Sequence, residues 1–309
     1  MKNNKVKNAI NRFINIKTYR VYDQIIELLE EYNDVVIPEQ SKLNGHKHFR
    51  GKEIEEKILS LIEEDERVLL IQDQESCDRN LGMKAVLLGL ENVALRVLDN
   101  DEASIQQSID GYNIGMMAAQ QGMEEVVLKA LDNKKASLQQ CVRGYNIGMY
   151  SAMNRLEKAT LKALDNHEAS IQLNESRWNI GIYAVTHEME NCVLKALDNE
   201  VASTQQDYWG DTIGLYAAKY SMENCVIKAL DNEKASIQQN HEGFNIGMVA
   251  IRNDLVDASL KAIENKEARE QKNAVGEDFY TLATKWEVKP IIKALDSIEK
   301  EETLKEMSE

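Results

Sequence analysis

The sequence predicts an all-α helical solenoid of about seven 33-residue repeats, preceded by a helical N-terminal cap. The first observation is a period, because the segment Leu-Asp-Asn recurs every 33 residues. Its leucines are Leu98, Leu131, Leu164, Leu197 and Leu230. The second is a marker of the same period, Asn-Ile-Gly-Met or a close variant, which starts at Asn80, Asn113, Asn146, Asn179, Thr212 and Asn245. The third is composition: 43% hydrophobic residues and only two prolines favour packed helices.

One repeat illustrates how the markers translate into helices. Asn113 can cap a first helix, since its side chain accepts a free N–H of the first turn, and Gly122 can end it. An apolar stripe from Met123 to Leu131 predicts a second helix, and the polar stretch 134–145 predicts a connection to the next repeat. The Asp of each Leu-Asp-Asn segment is expected to cap the second helix. Such helix pairs must stack to bury their apolar faces.

These residues resemble the ankyrin repeat family. The segment 113–119 (Asn-Ile-Gly-Met-Met-Ala-Ala) stands where that family opens a unit, and Gly111 and Gly122 match its glycines. Ala130-Leu131 replaces its leucine pair, and a glycine replaces one of its leucines. The resemblance covers residues 77–297 and implies stacked helix pairs that bind partners on a concave face. It looks like the divergent repeats of bacteria or their phages, while another helical solenoid stays open.

The two ends of the chain differ from the repeats. Residues 1–76 are interpreted as an N-terminal helical cap region, with helical patterns at 22–32 and 53–63 and a loop at 38–51. Residues 77–297 form the predicted repeat solenoid. The last repeat is degenerate, with Pro290 suited only to the first turn of a helix, and residues 298–309 form a charged tail.

Charge and hydropathy exclude several classes of function. The net charge of −15 makes nucleic acid an unlikely partner of the whole chain. The first 20 residues are nevertheless basic, so a nucleic-acid-associated role of this segment is kept as an alternative. No apolar run approaches the ~20 residues of a membrane span. Four cysteines without metal-binding spacing suggest buried, reduced thiols and a cytoplasmic location, in the producing cell or in a host.

Catalytic motifs are missing from the sequence. We find no phosphate-binding loop, no GxSxG and no HExxH. His46 and His48 lack further ligands nearby, so we expect no metal, no cofactor and no small-molecule substrate. The chain is therefore predicted not to be an enzyme, with a site in residues 1–76 as the alternative.

Comparison of the repeats with one another suggests where a partner binds. Positions in the first helix and in the connections vary, while the scaffold segments hardly change. We expect the partner-binding residues to be Trp178, Tyr183, Tyr208, Trp209, Tyr216 and Tyr220. The predicted function is a protein-binding scaffold, acting as an effector or an inhibitor of a host or partner protein. Acidic residues nearby (Glu175, Asp207 and Asp211) suggest a partner with a basic rim. The alternative is that aromatic side chains such as Trp178 only pack between repeats.

Overall fold

A computed structural model describes the backbone of residues 2–36 and 45–307, and side chains at 16–34, 51–74 and 76–307. The chain divides into two compact units, Met1–Val142 and Arg143–Glu309. We call them the N-terminal half and the C-terminal half, and each is described by itself.

Two helices begin the N-terminal half, as the sequence predicts for residues 22–32 and 53–63. They are α1 (Lys2–Val36) and α2 (Gly45–Glu64), which pack on each other through buried Ile25, Ile58 and Ile62. The predicted loop at 38–51 is wrong for its second part, because α2 begins at Gly45. A helical glycine costs about 1 kcal/mol, which the buried isoleucines of the same helix offset. Residues 37–44 lie outside the described residues.

A short connection follows and contributes the one departure from an all-α fold in the described ranges. It contains two 3-10 helices (Glu66–Leu70 and Gln74–Ser76) and a two-residue antiparallel pair, β1 (Gln72–Asp73) with β2 (Arg79–Asn80). The stacked helices of this half come next: α3 (Leu81–Leu88), α4 (Glu91–Val97), α5 (Asp101–Ser104), α6 (Ile114–Gln121), α7 (Glu124–Ala130) and α8 (Lys134–Leu138).

The same arrangement continues through the C-terminal half. Its helices are α9 (Ile147–Met153), α10 (Glu157–Leu164), α11 (His167–Ser170), α12 (Ile180–Thr186), α13 (Glu190–Leu197), α14 (Glu200–Thr204), α15 (Ile213–Lys219), α16 (Glu223–Ala229), α17 (Glu233–Ile237), α18 (Ile246–Arg252), α19 (Val256–Glu264), α20 (Lys266–Glu270), α21 (Phe279–Lys285) and α22 (Lys289–Glu306). Pro290 lies in the first turn of α22, as expected, and residues 298–306 of the expected tail are helical.

Each full repeat has three helices rather than the predicted two. The third is short, and the asparagine of the Leu-Asp-Asn segment caps it: Asn133 accepts the backbone N–H groups of Lys135 and Ala136 at the start of α8. The aspartate is the C-cap residue of the second helix in two repeats, as Asp165 of α10 and Asp198 of α13, whereas the preceding leucine takes that place in α7 and α16. In the C-terminal half the aspartate pairs with the lysine one repeat later, as Asp198 does with Lys228 at 3.0 Å. Both side chains are exposed, so each pair contributes little stability.

Asparagine at the start of the first helix caps that helix, which confirms the sequence prediction, and it also joins two elements. Asn146 accepts the N–H of Met149 at 2.9 Å through Oδ1. Its Nδ2 donates to the carbonyl oxygen of Ala169 at 3.0 Å and to Oε1 of Gln172 at 2.9 Å. The glutamine of the next repeat, Gln205, donates back to the carbonyl oxygen of Ile171 at 2.7 Å. The unchanging polar columns of the sequence are therefore the hydrogen bonds that hold the repeats in register.

The glycine that replaces the ankyrin leucine is required by close packing between repeats. A Cβ atom at Gly214 would lie 2.5 Å from Cδ1 of Ile246 and 2.8 Å from Cβ of Ala229. The isoleucine that opens one first helix therefore packs over the glycine of the preceding first helix.

Candidate binding surface

The repeats are joined by turns that we call the tips, residues 108–112, 141–145, 174–178, 207–211, 240–244 and 273–277. In the C-terminal half, four tips begin with Asn or Asp, and its side-chain oxygen accepts two backbone N–H groups of the same turn. In the tip 207–211, Asp207 accepts from the N–H of Trp209 at 2.8 Å and from the N–H of Asp211 at 2.9 Å. Neighbouring tips are also joined through the backbone, since the N–H of His241 donates to the carbonyl oxygen of Trp209 at 2.9 Å.

Several of the predicted site residues form a column of packed aromatic rings in the C-terminal half. The ring centroids of Trp178 lie 5.2 Å from Tyr183 and 5.6 Å from Tyr216, in edge-to-face geometry. Tyr145 continues the column at 5.9 Å from Tyr183 and stacks on Tyr150 at 5.2 Å. Such pairs add stability beyond the burial of their area. This packing agrees with the alternative interpretation of Trp178, in which the aromatic side chain packs between repeats.

Burial removes two of the six predicted residues from the accessible surface. Tyr183 is 6% exposed and Tyr216 is 8% exposed. The hydroxyl of Tyr183 accepts from Nδ2 of Asn174 at 2.8 Å, and the hydroxyl of Tyr216 donates to Asp207 at 2.8 Å. Burial raises the pKa of both phenols, since it disfavours the charged phenolate, and the hydrogen bond to Asp207 raises the pKa of Tyr216 further.

Three of the six remain available to a partner. Tyr208 is 61% exposed, Trp209 is 60% exposed and Tyr220 is 44% exposed. Tyr208 and Trp209 are the second and third residues of the tip 207–211, and Tyr220 is the C-cap residue of helix α15. Exposed Tyr and Trp side chains are candidate contacts, since these residue types are enriched in protein interfaces. We refer to them as the exposed aromatics.

The expected acidic rim is not present as predicted. Asp207 and Asp211 are both buried, and Glu175 is paired with Arg143. Asp211 accepts from Nδ2 of Asn240 at 2.9 Å and pairs with Lys219 at 2.5 Å. The carboxylates of Asp207 and Asp211 are thus held inside the fold and do not reach a partner, whereas Glu175 forms an exposed ion pair with Arg143.

Two further exposed apolar residues were missed by the sequence analysis. Trp286 is 49% exposed and Val275 is exposed at the last tip. Trp286 lies two repeat periods after Tyr220, and Val275 lies two periods after Trp209. The period itself could have identified them, but the degenerate last repeat obscured the alignment.

The described part of the chain offers little for catalysis. Among the described residues, no group of three or more His, Cys, Asp or Glu side chains could hold a metal ion. Cys141, Cys192 and Cys225 are buried as expected, whereas Cys77 is exposed. Burial raises the pKa of the Cys192 and Cys225 thiols to about 12. The side chains of His46 and His48 lie outside the described residues.

The basic N-terminal segment is described only in part. The side chains of Lys2, Lys5, Lys7 and Arg12 lie outside the described residues. Lys17 pairs with Glu64 at 3.4 Å, which is the contact with an acidic neighbour that a solvated helix face would make. None of the helices that the structure describes has the length and hydropathy to span a bilayer.

Comparison with known proteins identifies structural neighbours. The ankyrin repeat domain of Bcl-3, described as a unique member of the IkappaB protein family, aligns with a TM-score of 0.56 and 14% identity, covering 71% of this chain and 98% of that chain. The human ASB11 ankyrin repeat domain aligns with a TM-score of 0.51 and 17% identity, covering 66% of this chain and 91% of that chain. No family model and no curated protein matches the sequence. At these identities the likeness concerns the fold alone.

Proposed function

We propose that this chain, whose fold is an all-α, ankyrin-like repeat solenoid, is a non-enzymatic scaffold that binds another protein. The fold provides repeated turns on a rigid stack, and turns held by a scaffold are common places for binding residues. The proposed contact surface consists of the tips and the ends of the first helices in the C-terminal half. Its anchors are the exposed aromatics (Tyr208, Trp209 and Tyr220).

One observation carries this proposal. The rings of Tyr183 and Tyr216 are packed away, while Tyr208 and Trp209, in the same part of the chain, are 61% and 60% exposed. The exposed area of these rings adds nothing to the stability of the fold, but it would contribute free energy if a partner buried it. Trp and Tyr are the residues that most often dominate the energy of protein interfaces, because they bury large areas at low entropy cost.

The test uses the intact chain as bait and measures the affinity of the protein that it retains. The double change Trp209→Ala with Tyr220→Ala should weaken that affinity about tenfold or more. The matched control is Val201→Ala, which removes another exposed apolar side chain, on α14. Equal binding by the double variant, or equal loss in the control, would contradict the proposed surface.

We infer that the chain acts on its partner as an effector or inhibitor. The support is the exposure of Tyr208 and Trp209, which can bury their rings against the surface of a partner. A scaffold without chemistry of its own can alter a partner by occupying its surface. Stoichiometric addition of the intact chain should therefore change the activity of the isolated partner, and the Trp209→Ala, Tyr220→Ala variant should not.

A further inference from the structure

The tip at 207–211 differs chemically from its neighbours in the C-terminal half. The tips at 174 and 240 begin with a neutral Asn, whereas this tip begins with Asp207. All three make the same two bonds to backbone N–H groups through one side-chain oxygen. What distinguishes Asp207 is therefore its second oxygen.

That second oxygen ties three parts of the structure together. Oδ2 of Asp207 accepts from the hydroxyl of Tyr216 at 2.8 Å and from Nε1 of Trp178 at 3.3 Å. Tyr216 belongs to the first helix that follows the tip, and Trp178 belongs to the preceding tip. At the preceding tip the second atom is a donor instead, since Nδ2 of Asn174 makes one bond to Tyr183. Only a carboxylate can accept from both rings while also holding the turn.

A second buried carboxylate secures the other end of the same tip. Asp211 binds Asn240 and Lys219, and it replaces the aromatic residue found at this place in the neighbouring tips (Trp178 and Phe244). Burying two carboxylates is costly unless every oxygen is hydrogen-bonded, and here every oxygen is. The other tips form without this arrangement, so the turn itself does not require it.

We propose that Asp207 is a positioning residue that pre-organises the tip for partner binding, so that Tyr208 and Trp209 are presented in one conformation. The inference rests on the proposed function of these aromatic residues. A rigid anchor loses less entropy when it binds, which raises affinity without adding a contact. Asp207 itself is buried and does not reach a partner.

The experiment compares Asp207→Ala with its matched control Asn273→Ala in the full chain. Both changes remove the same pair of backbone hydrogen bonds, but the residue two positions on is Trp209 in one tip and Val275 in the other. Asn240→Ala is not suitable, because the amide of Asn240 also donates to Asp211. Hydrogen exchange should accelerate at the amides of Trp209 and Asp211 in the first variant, and at those of Val275 and Glu277 in the second. Unchanged exchange at Trp209 in Asp207→Ala would overturn the proposal.

Binding supplies the second readout. The probe is the protein that the intact chain retains and that the double variant Trp209→Ala, Tyr220→Ala does not retain. Asp207→Ala should weaken this binding about tenfold, while Asn273→Ala, at a similar melting temperature, should weaken it far less. Asp207→Asn keeps the backbone bonds but loses the second acceptor oxygen, so its affinity should lie between that of the unaltered chain and that of Asp207→Ala. Equal losses in Asp207→Ala and Asn273→Ala would show a general structural role and overturn the inference. If Trp209→Ala itself had no effect on any captured protein, the proposed function would fail instead.

Should Asp207→Ala not fold, Asp207→Asn decides the matter. It removes the acceptor for Nε1 of Trp178 and leaves the turn intact. Exchange at Trp209 should then rise measurably above that of the unaltered chain, and no change would overturn the role assigned to the second oxygen.

Discussion

Thr212 caps helix α15, yet it leaves the side-chain oxygen of Gln238 buried without a hydrogen-bond partner. In three other repeats of the C-terminal half an asparagine (Asn146, Asn179 or Asn245) stands in place of Thr212, and its Nδ2 donates to the glutamine 26 residues later, as Asn179 does to Gln205 at 2.9 Å. Threonine has no second polar atom for this purpose. This repeat thus contains a buried acceptor without a hydrogen-bond partner, whereas the same acceptor is paired in those three repeats.

Thr212→Asn should therefore stabilise the protein. The new amide can donate to Oε1 of Gln238 and satisfy a buried acceptor, which contributes about 1 kcal/mol. The measurement is the denaturant midpoint of the intact chain. The reciprocal change, Asn146→Thr, should leave Gln172 without its partner and lower the midpoint. A lower midpoint for Thr212→Asn would mean that the asparagine does not fit among the fully buried neighbours of Thr212.

Gly214→Ala should destabilise the C-terminal half by about 2 kcal/mol, because the added methyl would meet Ile246 and Ala229 in a close-packed contact. Ile246→Val removes the Cδ1 atom that lies nearest. If the contact is the cause, the loss in the double variant should be smaller than the sum of the two single losses. Additive losses in thermal unfolding would indicate that the glycine serves some other need.

Glu188→Gly should stabilise the chain by up to about 1 kcal/mol. Glu188 adopts a φ of 57°, in the left-handed region that is strained for side chains other than glycine. The equivalent position in an earlier repeat is Gly122, with a φ of 74° and no atom near its missing Cβ. Gly122→Glu is the matched reverse change and should destabilise by a similar amount. A higher melting temperature for Glu188→Gly and a lower one for Gly122→Glu would confirm the strain. Shifts of the same sign in both variants would contradict it.

The thiols should separate into two kinds. Cys77 is exposed, while the other three cysteines are buried, and the pKa of both Cys192 and Cys225 is raised to about 12. A thiol reagent at pH 8 should therefore modify one group per native chain, and Cys77→Ser should abolish this reaction. All four should react after denaturation, which serves as the control. Rapid modification of a second native thiol would show that a buried cysteine becomes accessible.

The sequence predicted the repeated columns correctly because each column repeats one physical contact. The capping role of Asn146 could be deduced from its place before an apolar helix. The third helix was missed, since a segment such as α8 is too short to show a helical period. The aromatic residues show a second limit of prediction from the sequence. Variation between repeats marks Tyr183 and Tyr208 alike, although one is buried and one is open. Their difference depends on which ring the neighbouring repeat covers.

Variation between repeats also arises from pairs of residues that contact each other. Lys219 pairs with Asp211, and Lys285 pairs with Glu277 at 2.7 Å, eight residues apart in both cases. In the repeat between them, Phe244 replaces the acid, and Arg252 lies over its ring at 6.0 Å. The two columns change together because each side chain suits its partner. Single columns therefore overstate how much of the variable surface is free to bind.

Trp286 allows the extent of the binding surface to be tested. It occupies the same column as Tyr220 two repeats later, with Asn253 between them, and it is 49% exposed. At roughly 8–10 Å between packed helices, the two residues are on the order of 20 Å apart, within the reach of a standard interface. We expect Trp286→Ala to weaken binding of the captured partner, but less than Trp209→Ala does, because residues near the rim of an interface contribute less.

The control is Tyr280→Ala, which removes a similarly exposed ring from the second residue of α21. Since Tyr280 stands where the other repeats carry the glycine covered by the next repeat, its ring marks the end of the stack, away from the column of Tyr220. If Tyr280→Ala weakened binding and Trp286→Ala did not, the partner would contact the end of the stack, and the proposed surface would be wrong.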